Sequence, residues 1–303
     1  MGQQQPVDLD RRLKETINYQ SEMLHYGMYT AGYSRPFQAD IPWHWHEEFE
    51  IGYVTGGSVL YKTNRTSYLL HEGDAIFINS GVLHYLQSQE PKRETRMQIQ
   101  FFDCTFLAGT AGSLLDVKYI APVAESEQLD AIPFFVGDPG SRPFLELIQQ
   151  GPALLEERKP FFEMRMRTLF SDLWEEVYSR AMTLQGLREK SSRTAEDERM
   201  KRMMGYIQEH FREKLTVRAI AECIPISERE CFRLFQNSIG ITPAEYLLSV
   251  RLENAQVLLM NTDRSILDIA LETGFGTSSY FGKIFRQHHR LTPLQYRKLG
   301  QEK

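Results

Sequence analysis

The chain has 303 residues, 42% of them hydrophobic and 25% charged, which supplies real cores and excludes a disordered or low-complexity class. Its net charge of −5 is uneven: residues 1–198 hold 19 Lys+Arg against 29 Asp+Glu, the remainder 16 against 11, so an acidic body precedes a basic tail suited to a polyanion. Three cysteines without a CxxC pair exclude a zinc ribbon or disulfide framework, and the lack of a signal-peptide core or long apolar run points to a cytoplasmic protein with no membrane partner.

From Gly27 to about Phe135 the sequence alternates in short runs, as in Met97, Ile99 and Phe101 interleaved with Arg96, Gln98 and Gln100. The runs GMYTAGYS, EEFEIGYV, SVLYKT and DAIFIN, separated by turn residues at Gly56 and Gly57, Asn64 and Arg65, and Glu72 and Gly73, predict a sandwich or barrel of short strands. Within it, His44, His46 and Glu50 share parity, so on one strand they would project to one face, with His84 arriving from a neighbour. Tyr33, Trp43 and Tyr53 stand close by in sequence, and aromatic faces beside polar groups suit a sugar or related polyol.

The spacing of His44, His46, Glu50 and Gly57 resembles the first motif of the cupin superfamily, and Gly73, Gly81 and His84 resemble its second. Gln38 stands where the first motif begins with Gly, and Asn79 replaces the usual Pro of the second. The resemblance implies that His44, His46, Glu50 and His84 are a metal-ligand set for zinc, manganese or ferrous iron. The preferred reading needs no cofactor: these residues, with Tyr33, Trp43 and Tyr53, line an effector pocket, and a divalent metal is the alternative.

After Pro143 the period changes, and Met164, Thr168, Leu169, Leu173, Val177 and Tyr178 predict an amphipathic helix over 161–181, either packed on the barrel or paired between subunits. Residues 186–198 are polar and charged without an apolar stripe, which predicts a linker between a domain at 1–185 and another at 199–303.

The basic tail carries a duplication: Thr242, Pro243 and Tyr246 recur fifty residues later as Thr292, Pro293 and Tyr296, and Cys231, Arg233 and Phe235 align with Phe281, Lys283 and Phe285. Each copy predicts helix, turn, helix. In the first, Ser227 caps the second helix with Glu230 as capping-box partner; in the second, Gly274 makes the turn and Thr277 or Ser278 the cap. A helix of about 16 residues between them, about 24 Å long, would hold two recognition helices for successive major grooves, whose turns repeat at roughly 34 Å. Arg229, Phe232 and Arg233 in the first copy and Ser278, Ser279, Gly282 and Lys283 in the second are the candidate reading residues. Gln236, Thr277 and Arg286 are candidates for fixing position on the backbone. Arg229 is the leading candidate for guanine readout, since arginine donates bidentately to O6 and N7.

The segment from Ile266 to Arg297 resembles the signature of AraC-family transcription regulators, and the first copy matches through Ile220, Ala221, Ser227, Arg233, Phe235, Gly240, Thr242, Pro243, Tyr246, Arg251 and Ala255. The resemblance implies an α+β multidomain protein: an N-terminal cupin-like β-barrel with helices, then an all-α tandem helix-turn-helix domain. It also implies a sugar or other small-metabolite effector, binding to double-stranded DNA as a homodimer, and contact with RNA polymerase. Pro225 and the non-glycine pair His289 and Arg290 depart from the pattern of the other copy. The alternative function is a metal-dependent cupin enzyme, against which stands a C-terminal third without a catalytic constellation.

Overall fold

The computed structural model describes residues 9–10, 13–21, 23–33, 40–89, 95–185 and 194–301. The chain forms two compact units, one from residues 14–34 and 40–194, the other from residues 195–303 with 9–13. Residues 186–193 of the expected linker lie outside the described residues. Residues 194–198 instead open a helix, with Glu196 and Asp197 in its first turn, where the helix dipole favours acidic side chains.

Among the described residues, the first unit contains nine strands: β1 (Tyr26–Tyr33), β2 (Asp40–His44), β3 (Phe49–Gly56), β4 (Ser58–Thr63), β5 (Ser67–His71), β6 (Ala75–Ile78), β7 (His84–Ser88), β8 (Thr95–Phe102) and β9 (Ala131–Phe134). They form two antiparallel sheets, of order β1-β8-β3-β6-β9 and β2-β7-β4-β5. Among the described residues the hydrogen-bonded ladders do not join into a closed barrel, so the sandwich arm of the expectation describes the sheets. Val54, Met97, Ile99 and Phe101 from the larger sheet meet Ile41, Val59, Tyr61 and Leu86 from the smaller in one buried core. The alternation of β8 places Met97, Ile99 and Phe101 on that inner face.

The outer face of the larger sheet is buried too. Phe49, Ile51, Phe77 and Phe102 pack under α1 (Cys104–Ala108), α2 (Ala121–Ala124), α3 (Arg142–Ile148), α4 (Gly151–Glu157) and α5 (Phe162–Gln185). The region up to Phe135 is therefore not all strand, because Cys104–Ala108 and Asp116–Ala124 are helical. The apolar stripe of α5 also differs from expectation. Its buried residues are Phe162, Met166, Leu169, Phe170, Leu173, Trp174, Val177 and Ala181, whereas Met164 and Thr168 face outward. That set keeps the helical i, i+3, i+4 spacing through its aromatic members.

The second unit holds α6 (Thr194–His210), α7 (Val217–Glu222), α8 (Glu228–Ile239), α9 (Pro243–Asn261), α10 (Ile266–Glu272), α11 (Ser278–His289) and α12 (Pro293–Gln301). The two TPxxY stretches open α9 and α12: Thr242 accepts from the Glu245 N–H while Glu245 accepts from the Thr242 N–H, and Thr292 and Gln295 repeat the exchange. Pro takes the first helical position, where no N–H is needed, and Tyr246 and Tyr296 are buried. Leu252, Ala255 and Leu259 of α9 share a core with Ile269, Phe281, Phe285 and Tyr296.

Candidate functional site

Four polar side chains converge between the sheets, and all four are buried. His44 ends β2, His46 sits in the following turn, Glu50 lies in β3 and His84 opens β7 opposite His44. One ligand atom from each falls within 4.8 Å of the other three. His44, His46 and Glu50 do converge, but not by shared parity, since they lie on two strands and the connection between them rather than on one strand. Asn79, in place of the motif's Pro, donates to the Val123 and Leu129 carbonyls at 2.8 and 3.0 Å and ties the end of β6 to the segment before β9.

Each imidazole has its Nδ1 against a nearby backbone carbonyl: His44 on Pro42 at 2.8 Å, His46 on Glu48 at 3.0 Å and His84 on Val82 at 2.8 Å. A carbonyl only accepts, so each Nδ1 carries a proton and each Nε2 points inward. Those nitrogens meet carboxylate oxygens: His46 Nε2 at 3.1 Å and His84 Nε2 at 3.3 Å from Glu50 Oε2. A fifth donor is Glu15, which sequence reading missed. It is buried, its N–H donates to the Trp45 carbonyl at 2.8 Å, and its Oε2 lies 3.4 Å from His44 Nε2. Tyr61 donates to Glu50 Oε1, and Tyr29 to Glu15 Oε1 at 2.8 Å.

Burial holds His44 well below the usual histidine range, with the neighbouring His84 and His46 adding to the effect. For Glu50, burial pushes upward but the charge of His84 and the hydrogen bond with His46 prevail and hold the carboxyl below its usual range. Burial pushes Glu15 up to about 7 against the Tyr29 hydrogen bond, and the Glu50 charge adds to the rise. His84 Nε2 and Glu15 Oε2 are buried without a hydrogen-bond partner among the described residues. Orphaned inward-facing atoms and a nitrogen-plus-carboxylate donor set fit a divalent cation.

The aromatic members of the expected effector set do not join this cluster. Trp43 is a strand neighbour of His44, so it points to the opposite face, where it stacks on Tyr85 at 5.6 Å. Tyr53 shares parity with Phe49 and Ile51 and packs toward the outer core, away from Glu50. The side chain of Tyr33 lies outside the described residues. A separate cavity of about 460 Å³ is lined by Leu107, Tyr119, Ile120, Trp174, Glu175 and Tyr178. It includes no residue of the histidine cluster.

In the second unit the fifty-residue offset becomes a three-dimensional register. Arg229, Phe232, Arg233 and Gln236 are exposed along one face of α8, and Ser279, Gly282, Lys283 and Arg286 hold the matching positions on α11. The opposite faces carry Cys231, Leu234 and Phe235, and Phe281 and Phe285, all buried. Ser227 and Thr277 are the N-caps, accepting from the Glu230 and Tyr280 N–H groups at 3.2 Å. Ser278 is the first, half-buried residue of α11, and Tyr280 beside it, which sequence reading passed over, is 49% exposed. Lys283, Arg286 and Arg290 line one open concavity beside α11.

One expectation for the first reader needs correction. Glu230 does not complete a capping box, because its carboxylate is bound to Arg233 at 2.6 Å. Arg233 is also held by Glu196 at 2.8 Å. Gln236 donates to the Gly240 carbonyl at 3.1 Å and so braces the helix end as well as facing outward.

The chain matches the family model for the AraC-like ligand binding domain over residues 29–170 and that for a helix-turn-helix domain over residues 220–299. An uncharacterized HTH-type transcriptional regulator of Bacillus subtilis, YdeC, is 25% identical over 96% of this chain and 98% of its own length. The HTH-type transcriptional activator RhaS of Klebsiella pneumoniae is 25% identical over 93% of this chain and 97% of its own. The melibiose operon regulatory protein of Escherichia coli is 37% identical over 33% of each chain.

Proposed function

Because the chain belongs to the AraC family of DNA-binding transcription regulators, with a ligand-binding domain before its helix-turn-helix region, we propose that it reads a bipartite, non-palindromic duplex site through α8 and α11 under the control of a small-molecule effector. The observation that carries this reading is the matched register of the two exposed faces. Arg229 reads guanine, Phe232 meets a thymine methyl, and Arg233, Ser278, Ser279, Gly282 and Lys283 complete the two reading surfaces. Gln236, Thr277 and Arg286 fix position on the phosphates. The protein acts in the cytoplasm as a homodimer in contact with RNA polymerase. Its relatives are transcription regulators, so the metal-dependent enzyme alternative is set aside.

Gel shifts across a salt series test the DNA reading. Specific binding falls steeply with salt, and a protein showing neither sequence preference nor salt dependence overturns it.

For the effector we favour a sugar or related oxygen-rich metabolite at the cluster of His44, His46, Glu50 and His84, supported by its inward-facing polar atoms and by a relative named for the melibiose operon. These four residues would also hold a divalent ion, which would supply a Lewis-acid contact for such a ligand. The cavity against α5 supports a second reading, because about 460 Å³ matches the volume of small-ligand pockets. A thermal-shift screen against sugars, run beside Trp174→Phe fluorescence, separates the two. Stabilisation without a change at Trp174 supports the cluster, whereas a response at Trp174 supports the cavity.

A further inference from the structure

We propose that the cavity between the segment Asp116–Ile120 and α5 binds a small organic cation, an amphipathic amine whose apolar part lies on Trp174, Tyr119 and Tyr178 and whose ammonium meets Glu175. This rests on the cavity reading of the effector site, and on neither the histidine cluster nor the DNA reading.

The wall has an unusual backbone. Asp116–Ile120 is a π-helix, in which the Ala121 N–H donates to the Asp116 carbonyl five residues back, and its consecutive residues Tyr119 and Ile120 both line the cavity. Such turns are rare and recur at functional sites. Beneath them Leu107, Ile120 and Trp174 make a buried apolar floor, and the volume of about 460 Å³ is that of a small-molecule site.

Hydrogen bonding selects against a polyol here. Trp174 commits its Nε1–H to the Tyr119 carbonyl at 3.1 Å, and Ser171 commits its hydroxyl to the Arg167 carbonyl at 2.8 Å. A ligand rich in hydroxyls therefore finds few partners on this wall. Aromatic surface is what the cavity offers instead: Tyr119 and Tyr178 meet edge to face with ring centroids 5.5 Å apart, beside the indole of Trp174. Such rings attract an apolar body and a positive charge alike.

Charge decides the sign of the ligand. Among the described residues that line the cavity, Glu175 is the charged one, and it stands at the exposed rim without an ion pair. It belongs to a stretch, residues 1–198, with 19 Lys+Arg against 29 Asp+Glu, whose field draws cations. Lys118 holds its own ammonium 4.9 Å from the centroid of the Tyr119 ring, so that ring already takes a cation. An incoming amine competes with this exposed lysine for the same aromatic wall.

The test is calorimetric titration of the full chain, without DNA, using phenethylammonium, its neutral counterpart 2-phenylethanol and its anionic counterpart phenylacetate. The expected result is one saturable site per chain, with the amine held at least about threefold more tightly than the alcohol and phenylacetate weakest. Glu175→Gln should bring the amine down to the affinity of the alcohol, whose own binding shows that the cavity is intact. Lys118→Gln should tighten the amine about twofold, because a competing cation is gone. No saturable binding of any of the three to the folded chain overturns the site. Equal affinities for amine and alcohol, unmoved by Glu175→Gln, overturn the role of Glu175, and phenylacetate bound tightest and lost in Lys118→Gln overturns the choice of a cation. An amine that binds as expected but leaves DNA affinity in gel shifts unchanged removes the effector role of the cavity and leaves the binding site standing.

Discussion

The two helix-turn-helix copies keep one frame and differ at the turn and on the exposed face proposed to meet DNA. Caps, core aromatics and the TPxxY ends occupy equivalent positions fifty residues apart, so the frame is under the same packing demand twice. The turns are built differently. In the second copy Gly274 has φ +79°, and a Cβ there would sit 2.6 Å from the Phe211 carbonyl oxygen and 2.9 Å from Arg251 Nε. In the first copy Pro225 stands there, four residues after Ala221 as Gly274 is after Ala270, and no residue from Cys223 to Ser227 has a positive φ. Helix endings differ as well, with Gly240 closing α8 in the left-handed conformation and Arg290 doing the same for α11 at φ 60°. A shared scaffold therefore tolerates two turn chemistries, while the reading positions diverge from arginine and phenylalanine to serine and glycine.

The largest expected effect breaks the comparison at the turn. Gly274→Ala adds both left-handed strain and a clash with backbone, and should destabilise the second unit by about 3 kcal/mol in chemical denaturation, with loss of DNA binding. If Gly274→Ala melts like wild type, the close approach to Phe211 is not a constraint. On the reading face, Arg229→Ala should lower discrimination at one base pair by about 1–3 kcal/mol while leaving other positions alone. Equal losses on every sequence would reassign Arg229 to the phosphates.

A smaller effect sharpens the contrast between Arg233 and its counterpart Lys283. Arg233 is held by Glu196 and Glu230, so the double change Glu196→Gln with Glu230→Gln frees a cation and should tighten DNA binding about two- to fivefold. The salt slope should steepen by about one. An unchanged slope in the double variant would show that Arg233 does not reach the duplex. Smallest of all, Arg290→Gly relieves a left-handed residue and should raise stability by up to about 1 kcal/mol, measured as a denaturation midpoint. The corresponding Gly240→Ala should lower it.

What the sequence disclosed follows the range of each interaction. Thr242 with Glu245, Ser227 with the Glu230 N–H, and the paired Tyr246 and Tyr296 were legible because capping and local bracing act within four residues. Copy-to-copy register was legible because a repeat is printed in the chain. Glu15 was not, since it reaches His44 from 29 residues away on a segment with no strand pattern of its own. Tyr53 and Trp43 do not face the cluster, because closeness in sequence ignores the alternation that sends strand neighbours to opposite faces. Strand β9 hid behind Pro133, and β5 behind an outward face where Leu69 is 48% exposed. The stripe of α5 slipped because Phe162, Phe170 and Trp174 face inward while Met164 faces outward, a choice made by the aromatic pocket around Trp174 rather than by hydrophobicity along the helix.

The three carbonyls that hold His44, His46 and His84 have a kinetic meaning. Each ring is clamped by a partner only two residues away, so its orientation survives as long as the local chain does and needs no help from a distant element. A guest bound at the proposed site would meet rings already held in place, with little rotational entropy left to lose on capture.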